Sequence, residues 1–297
     1  EGGWYDANLI RFRKGLPEKI GGWEKTTTNT YLGIGRALHG WVNLAATKLL
    51  GLGTTYKYYI ESGNAFNDVT PIRDTNTGTA TFTCTSGSST VSVTDASHGA
   101  VKNDFVTFTD TATLGSSNIT DSVLDQEYQI ASITSANVYT IVAKDTDGDE
   151  VTADASVSGG GGGSTVAAYQ INVGLDVYVP ASGWGASPWG DGTFGSVSTI
   201  STTNQLRIWT HDNFGEDAVM NPRAGGIYYW DTSAKTLGTD RAVSFSDLSG
   251  ANLPPTKALQ ILVSDIDRHI ICFGADPLND GGTARTGSID TMFICWC

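Results

Sequence analysis

Short runs of β-branched and aromatic residues, each cut within a few positions by glycine, proline, asparagine or aspartate, leave this chain little room for anything but β structure. Leu206 to Trp209, Ile227 to Trp230, Leu259 to Val263, His269 to Phe273 and Met292 to Trp296 are such runs. The segment Phe214-Gly-Glu-Asp-Ala-Val-Met-Asn-Pro-Arg-Ala-Gly-Gly-Ile-Tyr-Tyr-Trp-Asp231 shows the pattern most clearly. Its Asn221-Pro222 and Gly225-Gly226 pairs punctuate turns before an aromatic strand. Glycine supplies 36 of the 297 residues, well above the usual ~7 %, so many short strands and tight turns are expected and long helices are not. Ala37 to Leu52 is the best helical stretch, but glycines split the run that follows from Leu49 to Ile60, and strands are the favoured reading there.

Composition changes twice along the chain. Residues 1–76 are aromatic and locally basic. From Thr77 to Asp176, Ser, Thr, Ala, Val and Asp dominate, with strand-like alternation in Thr90 to Thr94, Phe105 to Phe108, Tyr128 to Ile133 and Val138 to Val142. Residues 177–297 return to the aromatic, glycine-rich character of the start. This predicts an all-β chain: a β-propeller-like domain formed by 1–76 and 177–297, with a small antiparallel β-barrel or sandwich module inserted as 77–176. The insertion is expected to project outward, because exposed loops accept inserted modules at little entropic cost.

The outer segments resemble the tail nozzle proteins of short-tailed bacteriophages, also called tail hub or packaged-DNA stabilization proteins. The resemblance is carried by the opening Gly2-Gly-Trp-Tyr-Asp-Ala-Asn-Leu-Ile-Arg-Phe-Arg-Lys-Gly-Leu-Pro-Glu-Lys-Ile-Gly-Gly-Trp23, by Asn213 to Asp217 with Asn221 to Asp231, and by Phe293 to Trp296. The middle block resembles the small β module named after the first catalytic cysteine half-domain of ubiquitin-activating enzymes, through Thr90 to Gly99, Asn103 to Phe108, Glu127 to Ile130 and Ala136 to Ile141. Only the scaffold is shared there, and no ubiquitin chemistry follows. The nozzle resemblance implies a non-enzymatic virion component located in the tail and assembled in the host cytoplasm. Its identical subunits would form a ring, commonly a hexamer, with an adaptor above and a tail fibre or tip below. Double-stranded DNA would be retained by the ring and conducted through it without sequence-specific binding. Arg11, Arg13, Trp23, Asn221, Arg223, Tyr229 and Trp230 are the interface or motif candidates under this reading. The chain opens inside the Gly-Gly-Trp motif and stops within an apolar strand at Cys297, so a partial chain is expected.

The charge balance fits a conduit better than a clamp. Eighteen basic residues against 31 acidic ones leave a net charge of −13, whereas tight DNA binding needs clustered Lys and Arg to displace counterions. No run of about 20 apolar residues marks a membrane span.

Few residues carry recognisable chemistry. Asp145, Asp147 and Asp149 lie in a stretch like a calcium loop, but the glycine is misplaced and Ser156 stands where the closing Glu belongs, so an Asp-Gly turn is favoured. His39, His98, His211 and His269 share no metal or triad spacing and are expected as packing or turn residues. Cys84, Cys272, Cys295 and Cys297 lack zinc spacing; thiols are favoured over a strained Cys295–Cys297 bridge. No cofactor is implied. Arg11, Arg13 and Arg36 are candidates for pairing with a neighbouring subunit or lining the channel, against a reading as solvated surface pairs. Trp184 and Trp189 offer indole faces for sugar stacking, which keeps a host-glycan adhesin as an alternative. A propeller-fold glycan hydrolase would need paired carboxylates in a cleft, and no such pair is evident.

Overall fold

In a computed structural model that describes residues 6–22, 24–25, 27–115, 117–175 and 206–296, the chain is built almost wholly of antiparallel sheets. A hairpin of β1 (Ile10–Arg13) and β2 (Leu16–Lys19) comes first. Next come β3 (Gly35–Val42), β4 (Lys48–Thr54), β5 (Tyr58–Ser62) and β6 (Ala65–Asp68), a four-stranded meander. Because side chains alternate across a strand, Trp41, Leu49, Tyr58 and Ile60 share one face of this meander, while Leu38 and Val42 lie on the other.

The chain then enters a two-sheet sandwich. Its strands are β7 (Ile72–Thr77), β8 (Thr81–Cys84), β9 (Thr90–Thr94), β10 (Phe105–Thr109), β11 (Glu127–Gln129), β12 (Ser132–Ser135), β13 (Val138–Val142), β14 (Val157–Gly160) and β15 (Val166–Gln170). One sheet runs β11-β10-β15-β7 and the other β12-β13-β9-β8-β14. Phe82, Val91, Val93, Phe108, Ile141 and Tyr169 fill the core between them, the inward half of each alternating strand. The Tyr128 to Ile133 run, expected as one strand, is divided: β11 and β12 belong to different sheets. The Ile130 amide bonds to the Asp104 carbonyl and the Ala131 amide to the Thr140 carbonyl, so the backbone changes sheets at this pair. A short helix, α1 (Asp121–Leu124), lies against the core through Val123 and Leu124. Entry strand β7 and exit strand β15 pair with each other, Thr77 opposite Val166 and Ile72 opposite Gln170.

Two further meanders follow: β16 (Trp209–Phe214), β17 (Asp217–Pro222), β18 (Tyr228–Trp230) and β19 (Val243–Ser244), then β20 (Gln260–Ser264), β21 (His269–Phe273) and β22 (Ile294–Trp296). The first strands of the three meanders, β3, β16 and β20, meet: β16 packs against both others. Blades arranged around an axis require this convergence. The middle blade is buried on both faces. Met220 joins Trp41, Tyr58, Ile60, Trp209 and Trp230 on one side, and its neighbour Val219 joins Ile227, Phe245, Ile261, Val263 and Ile270 on the other. That explains the unbroken apolar run Ala218 to Met220.

The strand expected over Leu206 to Trp209 instead begins at Trp209 and continues through the polar His211, Asp212 and Asn213. These side chains have partners in the flanking blades, such as the Val263 amide donating to Asp212 Oδ2 at 3.0 Å, so tertiary contacts override their weak strand propensity. Trp209 defines the seam between the first two blades. Its indole donates to the Thr54 carbonyl at 2.7 Å, and its ring covers Gly53 so closely that an added Cβ would fall 2.4 Å from Cγ.

Sandwich and blades are tied by an ionic quartet built round one buried lysine. Lys57 is 2 % exposed; its Nζ bonds to Asp68 at 2.6 Å and to Glu127 of β11, and lies 4.3 Å from the Phe105 ring centre. Arg241 bridges the same two carboxylates, at 2.5 Å to Asp68 and 3.4 Å to Glu127. Burial alone would raise the Asp68 pKa, but Lys57 and Arg241 outweigh it and hold the carboxyl below its ordinary value.

Two substitutions test these seams by denaturant unfolding. Gly53→Ala forces the Trp209 ring aside and is expected to cost about 1–3 kcal/mol. Lys57→Met leaves two half-buried carboxylates sharing one arginine and is expected to cost about 1–3 kcal/mol.

Candidate functional site

A cavity of about 940 Å³ opens where the sandwich, the middle blade and the last blade meet. Four cations from four separate segments line it: Lys102 between β9 and β10, Arg207 just before β16, Arg223 in the β17–β18 turn, and Lys257 before β20. No carboxylate is among the described lining residues, although acids outnumber bases 31 to 18 in the chain. Arg207 is held in place. Its Nη2 donates to the Asn172 carbonyl, its guanidinium lies 5.5 Å from the Trp209 ring centre, and its stem crosses Gly174, where an added Cβ would sit 2.3 Å from the Arg207 Cβ. Burial pulls the Arg207 pKa down, which Tyr228 and Asp104 partly oppose. Asp104 stands behind the wall, accepting from the Val101 amide at 2.8 Å, the Val173 amide at 2.7 Å and Asn172 Nδ2 at 2.5 Å. Burial nevertheless raises its pKa.

A second constellation sits on the converging first strands. His39 of β3 and His211 of β16, 172 positions apart, have ring centres 5.4 Å apart. His39 Nε2 lies 3.1 Å from Asn213 Oδ1 and 3.8 Å from Asp212 Oδ1. His211 Nδ1 is 2.7 Å from the Tyr58 hydroxyl. Burial raises the Tyr58 pKa and keeps its phenol a donor. Burial, reinforced by His39, lowers the His211 pKa to about 4. The neutral ring serves as a bridge between blades, and no spacing within one strand could have revealed the pair.

The other sequence candidates are placed as follows. Arg11 pairs with its cross-strand neighbour Glu18 at 3.1 Å on the exposed hairpin, and Arg13 is exposed on the same hairpin. Arg36 is half-buried on β3. Asn221 is buried, and its amide donates to the Gly225 and Gly226 carbonyls at 3.0 and 2.9 Å, closing the turn that carries Arg223 to the cleft. The Tyr229 hydroxyl donates to Asp217 at 2.5 Å, and Trp230 is a core residue. Asp145 accepts from the Asp147 and Asp149 amides at 3.0 and 2.9 Å, so its carboxylate caps the Asp-Gly turn as favoured. His98 is buried against Tyr139, and His269 is exposed on β21. Cys84, Cys272 and Cys295 are free thiols; Cys295 lies opposite Cys272, whose hydrogen bond draws the Cys295 pKa down to about 7. Trp23, Trp184, Trp189 and Cys297 fall outside the described residues. No described helix is long and apolar enough to cross a membrane.

No family model matches the chain, and a search of curated proteins returns no match. Among solved structures, the phage phi92 endosialidase aligns over 89 % of this chain and 36 % of its own, at 13 % identity and a TM-score of 0.26. This chain thus spans little more than a third of that protein. So low a TM-score establishes no common architecture, and the likeness assigns no role to any residue.

The lowered His211 pKa has a consequence for stability. A depressed folded pKa gives stability that is present above the unfolded value near 6.5 and lost as pH falls through about 4. Melting curves between pH 7 and pH 4 are expected to show a loss of roughly 3 kcal/mol in the native protein that is absent from His211→Asn, which keeps an acceptor for Tyr58.

Proposed function

We propose that this chain is a non-enzymatic structural subunit of a phage tail nozzle, packing side by side with identical copies into a ring, hexameric in the family it resembles. One observation carries the reading: the blade stack ends in apolar sheet faces on both flanks. On the first blade, Leu38 is 66 % and Val42 55 % exposed; on the last, Leu262 is 46 %, Ile294 49 % and Trp296 69 % exposed. Leu262, Ile271 and Trp296 form one row across β20, β21 and β22. Two different apolar flanks on one body suit head-to-tail contacts, the kind that closes a ring.

The ring's work is mechanical and electrostatic. It supports a channel through which double-stranded DNA passes, with an adaptor above and a fibre or tip below. Net negative charge limits adhesion of the DNA to the wall. The sandwich, entered and left through the paired strands β7 and β15, is an inserted module that projects outward from the ring. Asn221 and Trp230 serve the reading as blade-building residues.

Negative-stain microscopy is expected to show ring-shaped particles for the purified protein and their dispersal by Leu262→Glu. A native protein that sediments only as a monomer overturns the proposal, as does hydrolysis of a glycan by a purified monomer.

A further inference from the structure

We propose that the cleft between sandwich and blades binds a small polyanion, an organic molecule bearing two or more carboxylate or phosphate groups. The inference stands apart from the nozzle reading, because it rests on the cavity alone. Lys102, Arg207, Arg223 and Lys257 make no ion pair with any described residue, whereas Lys57, Arg241 and Arg11 each do. Converging four cations, none in an ion pair with a described carboxylate and only Arg207 sensing one, Asp104 behind the wall, costs self-repulsion, and a bound anion turns that repulsion into attraction.

The cleft also has the marks of a preformed site. Its volume falls within the range of ligand pockets, roughly 300–1,000 Å³, and exceeds what one inorganic anion would fill. Arg207 is fixed from three sides, by Asn172, Trp209 and the bare backbone of Gly174, so little side-chain entropy remains to be lost on binding. Val101, Val173, Leu259 and Ile289 supply apolar wall for the ligand's carbon skeleton, and Asn103 and Ser288 supply hydrogen-bonding groups. A guanidinium takes a planar carboxylate or a phosphate in paired hydrogen bonds, while the lysines act as point charges at the rim. Duplex DNA is excluded by size.

Isothermal titration of the full chain at low ionic strength, with citrate and with tripolyphosphate as probes and maltotriose as the neutral control, tests the proposal. Saturable one-to-one binding of at least one polyanion is expected, weakening with added salt, with no heat from maltotriose. Preference for citrate identifies the natural group as carboxylate and preference for tripolyphosphate as phosphate. Arg223→Gln and Lys257→Gln, both at exposed rim positions, are each expected to weaken binding at least fivefold without lowering the melting temperature, and Arg207→Gln to weaken it most. Lys14→Gln, on the hairpin loop, is expected to leave binding unchanged. Absence of saturable binding by either polyanion overturns the proposal; so does equal weakening by Lys14→Gln and Lys257→Gln, which would reduce the effect to overall charge.

Discussion

The placement of Trp209 against Gly53 governs more of this molecule than any other contact. Strand alternation puts Trp209 and His211 on one side of β16, so seating the indole on a bare glycine of β4 aims His211 toward His39 in the same stroke. A slip of one position would send both to the opposite face. The glycine therefore acts as a register mark: only a residue without Cβ lets the ring lie this close, and the ring's donation to the Thr54 carbonyl locks the alignment.

Two kinds of seam hold the assembly of sheets together, and they differ in what they specify. Between blades the material is aromatic and aliphatic, with Trp41, Tyr58 and Trp230 on one side of the middle sheet and Phe245, Ile261 and Ile270 on the other. Such packing contributes most of the stabilisation and tolerates some repacking. Between sandwich and first blade the seam is ionic. Charges paired away from bulk water add little net stability over an apolar seam but penalise every arrangement that separates them, so the buried Lys57 and the half-buried Arg241 fix how the two bodies sit far more than how firmly.

Much of the architecture was legible from pattern. Glycine punctuation and alternating Ser, Thr and Val runs identified antiparallel strands; the sandwich core is drawn from Ala80 to Tyr169, while its first strand, β7, already starts at Ile72. What escaped reading is non-local. The polar half of β16 looks unlike a strand until the neighbouring blades supply partners for Asp212 and His211. The histidine pair and the four-cation cleft join residues scattered over more than 150 positions, so neither spacing nor composition foreshadows them. Arg223 was singled out as a motif residue, but its role at the cleft depends on the turn that Asn221 closes. Lys102, Arg207 and Lys257 gave no signal beyond being basic in an acidic chain.

The pairing of β7 with β15 brings the two strands at which the sandwich begins and ends side by side, Ile72 facing Gln170. Neighbouring antiparallel strands lie about 5 Å apart, so a short bridge would span the cut if the whole sandwich were removed. Covalent topology thus makes the sandwich dispensable, yet its Glu127 is a counter-charge for Lys57 and Arg241. Any lineage or engineer exchanging this module must therefore graft a carboxylate at the same spot or discharge the two cations left behind. The backbone permits a free trade of modules, and a single acidic side chain sets its terms.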